Sequence, residues 1–171
     1  MSPSFVPPVV ASALGSASVV AFSGGRLASP ASLLRVGLAL ACLSPSARVR
    51  VGCAAGVDLA VRRSRPGVLV FRASSFGVGR SAFALRSGAV VRSLGSAGLF
   101  VCFPALPCPA VLSPSPEFSA CFCGSGSGSW ASLAFARGLR LPSVVWCPAG
   151  VVPPASFGLV SLGGGWFSSF L

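Results

Sequence analysis

The side chains of this chain that could take part in chemistry are few. Only Asp58 and Glu117 are acidic, and the chain contains no histidine, lysine or tyrosine. General acid–base catalysis would therefore depend on one of these two carboxyls or on a cysteine. Cys53 and the serines have no histidine that could activate them as nucleophiles. We expect binding rather than catalysis, with catalysis through Asp58 or Glu117 as the alternative.

Metal or redox chemistry has little support in the cysteine spacing. The chain has seven cysteines, but none of them forms a Cys-x-x-Cys pair, and Cys121 and Cys123 are the only close pair. A structural zinc site usually needs two such pairs, or one pair with two histidines. We interpret the cysteines as small buried hydrophobic residues in a reducing compartment. The sequence therefore predicts a cytoplasmic protein with no metal site and no cofactor.

Four short segments combine several glycines with nearby hydroxyl, arginine or acidic side chains. These segments are residues 23–26, 52–58, 74–80 and 124–129. Glycine lets a phosphate approach the backbone amides, and a helix that follows presents its positive end to the anion. Arg26 and Arg80 could each bind a phosphate through two hydrogen bonds. The predicted ligand-binding residues are Ser23, Gly24, Gly25, Arg26, Gly52, Gly56, Asp58, Arg80, Gly126, Gly128 and Ser129.

The two acids differ in what their positions indicate. Asp58 falls in the first turn of a predicted helix, where an acid stabilises the helix by roughly 0.5–2 kcal/mol. It could equally accept a hydrogen bond from a ligand hydroxyl, and both roles stay open. Glu117 lies in a Pro/Ser-rich loop. It is interpreted as a solvated loop acid, with a position over the ligand site as the alternative.

The net charge of +11 is weak evidence about partners. The amino acids Thr, Ile, Asn, Gln, His, Lys and Tyr do not occur in the chain. All of their codons have adenine at the first or second position, so the gene itself looks poor in adenine. Arginine is then the only cationic residue that the gene can encode freely. The charge would still attract nucleic acid, but it does not by itself indicate selection for that partner.

Short apolar runs alternate with helical patterns through most of the chain. The predicted strands are residues 18–22, 48–51, 67–71, 98–103 and 143–147. The predicted helices are residues 29–43, 57–65, 80–95 and 127–139. Near-continuous apolar strands that alternate with helices predict an α/β fold with a mostly parallel, five-stranded sheet covered on both faces. The glycine-rich segments would then meet at the carboxyl edge of the sheet, where such folds bind ligands.

We divide the chain into one domain with two extensions. Residues 18–148 form the predicted ligand-binding domain, residues 1–17 an N-terminal arm, and residues 149–171 a Gly/Pro-rich apolar tail. The tail contains Trp166 and is expected to dock on its own domain or on a partner, which includes a second copy. No uninterrupted apolar stretch of about 20 residues is present, so we predict no membrane partner.

The ordered motifs resemble the Rossmann-like domain of the Smf/DprA DNA-processing family and its superfamily of nucleotide-sensing and lonely-guy-type proteins. The matching segments are Val19–Arg26, Val51–Asp58, Gly79–Ser81, Gly126–Ser129 and Val144–Pro148. The resemblance covers about residues 18–150, and Val51–Asp58 is its most specific part. It implies a single Rossmann-like, three-layer domain that binds a nucleotide, a nucleotide-derived ligand or single-stranded nucleic acid.

Two departures from the family pattern limit what the resemblance implies. The DNA-processing members usually have an arginine where this chain has Ala55. The lonely-guy-type hydrolases have a glutamate shortly after the glycine segment, whereas residues 130–133 here contain no acid. The predicted function is therefore binding or sensing of a nucleotide-like ligand. The alternatives are a single-stranded nucleic-acid binding module of the DNA-processing type and a hydrolase that acts on nucleotides.

Overall fold

The computed structural model describes residues 5–171 as an α/β fold with seven strands and six α-helices. The strands are β1 (Val19–Gly24), β2 (Arg48–Gly52), β3 (Leu69–Phe71), β4 (Leu99–Phe103), β5 (Ser143–Trp146), β6 (Val160–Gly163) and β7 (Trp166–Ser168). The helices are α1 (Pro8–Ser16), α2 (Pro30–Ala41), α3 (Val57–Ser64), α4 (Arg80–Arg92), α5 (Phe118–Cys121) and α6 (Gly128–Gly138). Short 3-10 turns occur at Ala73–Phe76 and Ala155–Phe157.

All seven strands belong to one mixed sheet, in the order β3-β2-β1-β4-β5-β7-β6. Strands β1 to β5 pair in parallel, in agreement with the expected mostly parallel α/β class. Strands β7 and β6 are antiparallel to their neighbours. The prediction of five strands was therefore wrong, because residues 5–171 contain seven.

The two extra strands form a hairpin that the sequence pattern conceals. Gly163, Gly164 and Gly165 all have positive φ angles, which allows the chain to reverse direction between β6 and β7. Trp166 then packs in the core, with its ring 6.0 Å from that of Phe103. Strand β6 contains only four residues, and its apolar–polar alternation is too short to distinguish a strand from a tail, which explains why it was interpreted as tail.

Helices cover the sheet on both faces, as the alternation of elements predicted. Along β1, Val19 and Ala21 pack in one apolar cluster with helices α4 and α6. Val20 and Phe22 point to the opposite face, where they pack with helices α1, α2 and α3. This alternation follows from the two-residue period of a strand. Each face of β1 is therefore part of a hydrophobic core.

Two helices begin at serine caps that the sequence supplies. Ser29 precedes Pro30 at the start of α2, and its hydroxyl accepts a hydrogen bond from the Ser32 amide at 3.1 Å. Ser127 caps α6 in the same way through the Trp130 amide at 3.4 Å. Such caps contribute about 1 kcal/mol each and define where a helix starts.

The segments outside the expected domain are also structured. Helix α1 lies in the segment that we expected to be an arm, and its Val10 and Leu14 are fully buried. Pro8 is the first residue of α1, a position at which proline is favourable. Trp166 forms a second link to this end of the chain, because its indole donates to the Phe5 carbonyl at 3.1 Å. None of the helices between residues 5 and 171 has both the length and the apolar character needed to cross a bilayer.

Candidate functional site

A pocket of about 610 Å³ opens at the carboxyl edge of the parallel sheet. It is bounded by the loop after β1, by the start of the loop after β4, and by helices α4 and α6. In the strand order, β1 lies between β2 and β4, so the chain crosses to opposite sides of β1 at this point. The loops separate there and leave a crevice, which we call the switch-point pocket. Its volume is in the range of small-molecule sites.

Nine of the eleven predicted binding residues line the switch-point pocket. They are Ser23, Gly24, Gly25, Arg26, Gly52, Asp58, Gly126, Gly128 and Ser129. The two others, Gly56 and Arg80, do not line it. Gly56 lies behind the loop after β1, against the carbonyls of Gly25 and Arg26. Arg80 is exposed at the first position of α4.

A buried ion pair between Asp58 and Arg86 lies in the wall of the pocket. The Arg86 Nη1 and the Asp58 Oδ2 are 3.3 Å apart, and each residue is only 6% exposed. Asp58 Oδ2 also accepts the Ala54 amide at 3.1 Å. The carboxylate therefore joins the loop after β2 to helix α4, a structural role different from the helix-capping one expected from its position.

The ion pair requires a glycine at position 52. A Cβ added to Gly52 would overlap the Arg86 guanidinium and the Asp58 carboxylate. Arg86 Nη1 also contacts the Cys53 sulfur at 3.7 Å, and its Nε is buried without a hydrogen-bond partner among the described residues. The guanidinium is therefore held by few contacts, and Asp58 is its one acidic neighbour in residues 5–171.

Burial dominates the ionisation of Asp58. Removal of the carboxyl from water raises its pKa above the ordinary value of 3.8, and the nearby charge of Arg86 and the Ala54 amide oppose this only in part. The folded chain thus holds the Asp58 proton more tightly than the unfolded chain does. This group stabilises the fold below pH 3.8, and that contribution is lost as the pH rises through the pKa of the folded state.

We expect Asp58→Asn to remove this pH dependence. The free energy of unfolding of the wild type should fall as the pH rises through the titration of Asp58, while that of the variant should stay flatter. Urea unfolding at several values between about pH 3 and pH 7 measures this difference. Glu117→Gln is the control, because Glu117 is exposed and the variant should keep the wild-type slope. Parallel curves for wild type and Asp58→Asn would contradict the assignment.

The segment before α6 supplies backbone amides at the rim of the pocket. Gly124, Ser125, Gly126, Ser127 and Gly128 all line it. A Cβ on Gly126 or Gly128 would meet no atom within 4 Å, so these positions are open to a ligand. Gly24 and Gly25, at the end of β1, are different. A Cβ on Gly24 would strike the Val57 side chain, and one on Gly25 would strike Ala105. These two glycines allow close packing rather than the approach of a ligand.

The inner part of the pocket is apolar. Its buried lining residues are Phe22, Val90, Phe100, Cys121 and Ala131. Cys121 comes from the long connection between β4 and α6. Ala105, Leu106 and Phe122 of the same connection also line the pocket. The loop is anchored by the Trp130 indole, which donates to the Leu106 carbonyl at 2.7 Å. Glu117, in the same loop, is exposed and does not line the pocket.

Sequence reasoning missed the contributions of helix α4. Phe83, Arg86 and Val90 all line the pocket, and their spacing of three and four residues places them on one helix face. The sequence carries a signal for this, because Phe83 and Val90 are apolar residues on one face of the predicted helix 80–95 and Arg86 is a charged residue on the same face. The Arg26 guanidinium also lies 4.8 Å from the centre of the Phe83 ring, and that of Arg86 lies 6.0 Å from it. Such contacts orient both cations.

The donor set of the site limits its chemistry. The site combines backbone amides, serine hydroxyls, two arginines and one carboxylate. No group of three or more His, Cys, Asp or Glu side chains that could hold a metal ion occurs between residues 5 and 171. The arrangement is suited to hold an anion and a hydroxyl group at the rim.

Comparison with known proteins gave a negative result. No family model, curated protein or solved structure matches this chain. The assignment of a function therefore rests on the geometry of the switch-point pocket and on the motifs that line it.

Proposed function

We propose that this chain binds a nucleotide-like small molecule in the switch-point pocket. The observation that carries the proposal is the convergence of three of the four glycine-rich segments, 23–26, 52–58 and 124–129, on one pocket at the carboxyl edge of a parallel sheet. Open parallel sheets bind their ligands at such crevices. The ligand class follows from the chemistry of the lining.

The strand order supports a Rossmann-like assignment. The parallel part of the sheet runs β3-β2-β1-β4-β5, which matches the first five strands of the dinucleotide-binding arrangement. Three of the five motifs that resemble the Smf/DprA and lonely-guy-type superfamily, Val19–Arg26, Val51–Asp58 and Gly126–Ser129, contribute residues to this pocket. Both observations favour a nucleotide or a nucleotide-derived ligand.

The rim of the pocket fits a phosphate group. Helix α6 has 11 residues and begins at Gly128, so its first amides and its positive end face the pocket. Arg26, which is exposed, lines the same rim and could add two hydrogen bonds to phosphate oxygens. Helix-terminal amides and a guanidinium together are a frequent combination in phosphate sites.

The remaining parts of the pocket fit the nucleoside. The buried apolar surface of Val90, Phe100 and Ala131 can hold a flat aromatic base. Asp58 lines the pocket, and neither of its two hydrogen bonds uses Oδ1. This oxygen is the one that would accept a ribose hydroxyl. A nucleoside monophosphate therefore matches the rim, the wall and the inner part at once.

Arg26 and Arg80 offer a matched pair of variants to test the proposal. Both arginines are exposed, but only Arg26 lines the pocket. We expect Arg26→Ala to raise the Kd of a nucleoside monophosphate about tenfold, as expected for loss of a charge-assisted hydrogen bond. Arg80→Ala should leave it within about twofold, because Arg80 does not line the pocket and its exposed charge is screened by salt. Isothermal titration calorimetry with the four common nucleoside monophosphates measures both effects.

The same experiment separates the proposal from the nucleic-acid alternative. A short single-stranded oligonucleotide is titrated alongside the mononucleotides at two salt concentrations. If the oligonucleotide alone binds, with an affinity that falls steeply with salt and is weakened equally by both variants, the protein is a nucleic-acid binding module instead. Absence of binding of every nucleotide would contradict the proposal directly.

A further inference from the structure

Strand β6 is an open edge of the sheet. It pairs with β7 on one side, and no described strand pairs with its other side. Val160 and Ser161 are exposed. An open edge presents unpaired backbone N–H and C=O groups in a row, which favours pairing with another strand.

The two edges of the sheet differ in their charge. The opposite edge strand, β3, is followed directly by Arg72, and its neighbour β2 contains Arg48 and Arg50. By contrast, residues 141–171, which include the whole β6–β7 hairpin, contain no charged side chain. Charged side chains are a common means of preventing association at an edge strand. The β3 edge has this protection, and the β6 edge lacks it.

We propose that β6 pairs antiparallel with β6 of a second copy of this chain about a twofold axis. Such an axis places the same strand opposite itself, so a single uncharged edge is sufficient for a closed dimer. The two sheets would then join into one continuous sheet. The switch-point pocket lies at the β1–β4 crevice, with β5 and β7 between β4 and β6, and its access is unchanged by this pairing.

The charge of the chain favours a second copy over other occupants of this edge. Two copies carry +11 each and repel across any surface that bears arginines. Contact between them is least unfavourable where arginine is absent, and the β6–β7 hairpin is such a region. An acidic partner would instead be attracted to the arginine-bearing surfaces. The uncharged β6 edge is therefore the part of the surface at which two copies repel each other least.

The dimer is expected to be weak and dependent on concentration and salt. A pairing of four-residue strands buries a small area compared with a stable interface. Added salt screens the repulsion between the two positive copies, so it should strengthen the dimer. Sedimentation velocity of the wild-type chain should show the average mass rise towards twice that of the monomer as protein concentration and salt increase.

Val160→Arg tests the edge directly, and Leu69→Arg is its matched control. Val160 on β6 is 47% exposed and Leu69 on β3 is 48% exposed, so both variants place the same charge on an edge strand at similar exposure. We expect Val160→Arg to weaken dimerisation at least tenfold and Leu69→Arg to leave it within twofold of the wild type. Hydrogen exchange at residues 160–163 should also slow with increasing protein concentration in the wild type and in Leu69→Arg. It should not slow in Val160→Arg.

Several outcomes would overturn the proposal. A wild-type chain that stays monomeric at every concentration and salt would do so. A dimer that Val160→Arg leaves intact would show that another surface forms the contact. Equal dissociation by both variants would show that edge charge in general, rather than β6 pairing, controls association. Thermal unfolding of each variant verifies that the chain is folded.

Discussion

The Arg86→Met variant is expected to lose about 3–5 kcal/mol of its free energy of unfolding at pH 7, the usual effect of breaking a buried ion pair. Methionine is unbranched and flexible and can replace the aliphatic part of the arginine side chain. The variant leaves the Asp58 carboxylate at 6% exposure without the guanidinium that lies 3.3 Å from it. The cost arises from a buried charge that has lost its partner, and urea unfolding measures it.

The pH dependence of this variant distinguishes an electrostatic effect from loss of packing. Removal of Arg86 takes away the main charge that opposes the burial-induced rise in the Asp58 pKa. The pKa of Asp58 should therefore rise further in the folded variant, and the variant should regain stability as the pH falls. A loss that is equal at pH 7 and at low pH would indicate a packing defect instead.

A double variant supplies the matching control. Asp58→Asn combined with Arg86→Met replaces both charged side chains by neutral ones. Because no unpaired charge is left, most of the loss in Arg86→Met should be recovered. If the double variant were as unstable as the sum of the two single variants, the pair would not be coupled and the assignment would be wrong.

Gly56→Ala is expected to lower the free energy of unfolding by about 3 kcal/mol or more, through backbone strain and overpacking together. Gly56 precedes α3 with φ of 70° and ψ of −124°, a conformation that alanine avoids. A Cβ at this position would also fall against the carbonyls of Gly25 and Arg26. The Val57 amide donates to the Gly25 carbonyl at 3.2 Å, so the loop cannot move away without loss of that bond.

Gly67→Ala separates strain from steric overlap in this measurement. Gly67 also has a positive φ of 75°, but a Cβ there would meet no atom within 4 Å. Its replacement should therefore cost only about 1 kcal/mol, the effect of strain alone. Chemical denaturation of both variants tests the difference. Equal losses at the two positions would show that the contact between α3 and the loop after β1 is not tight.

Gly56 and Asp58 illustrate what sequence patterns can and cannot predict about this site. Both were recognised because they follow a strand and open a helix, which is local information. Gly56 was assigned to ligand binding, although it packs behind the loop rather than in the pocket. Asp58 lines the pocket, but its partner Arg86 lies 28 residues away on α4. No local pattern shows that these two elements meet.

The C-terminal hairpin shows the same limit at the level of the fold. The alternation of apolar runs and helical patterns was sufficient to predict β1 to β5 and four helices, and their observed bounds lie within three residues of the prediction. Strands β6 and β7 have too few alternating residues to be recognised. They form because Trp166 buries its ring against Phe103 on β4, a contact across 63 residues that only the folded sheet provides.

The sequence by itself thus determined the order of β1 to β5 and of α2, α3, α4 and α6, the α/β class, and the edge of the sheet at which three of the four glycine-rich segments gather. These features depend on side-chain periodicity and turn residues, which act over a few neighbouring positions. The tertiary structure alone decided the strand order, the crevice beside β1, the Asp58–Arg86 pair and the open edge at β6. Each of these features depends on which distant elements pack together. That packing is determined by the burial of apolar side chains and the pairing of strands across the whole chain, which no single segment contains.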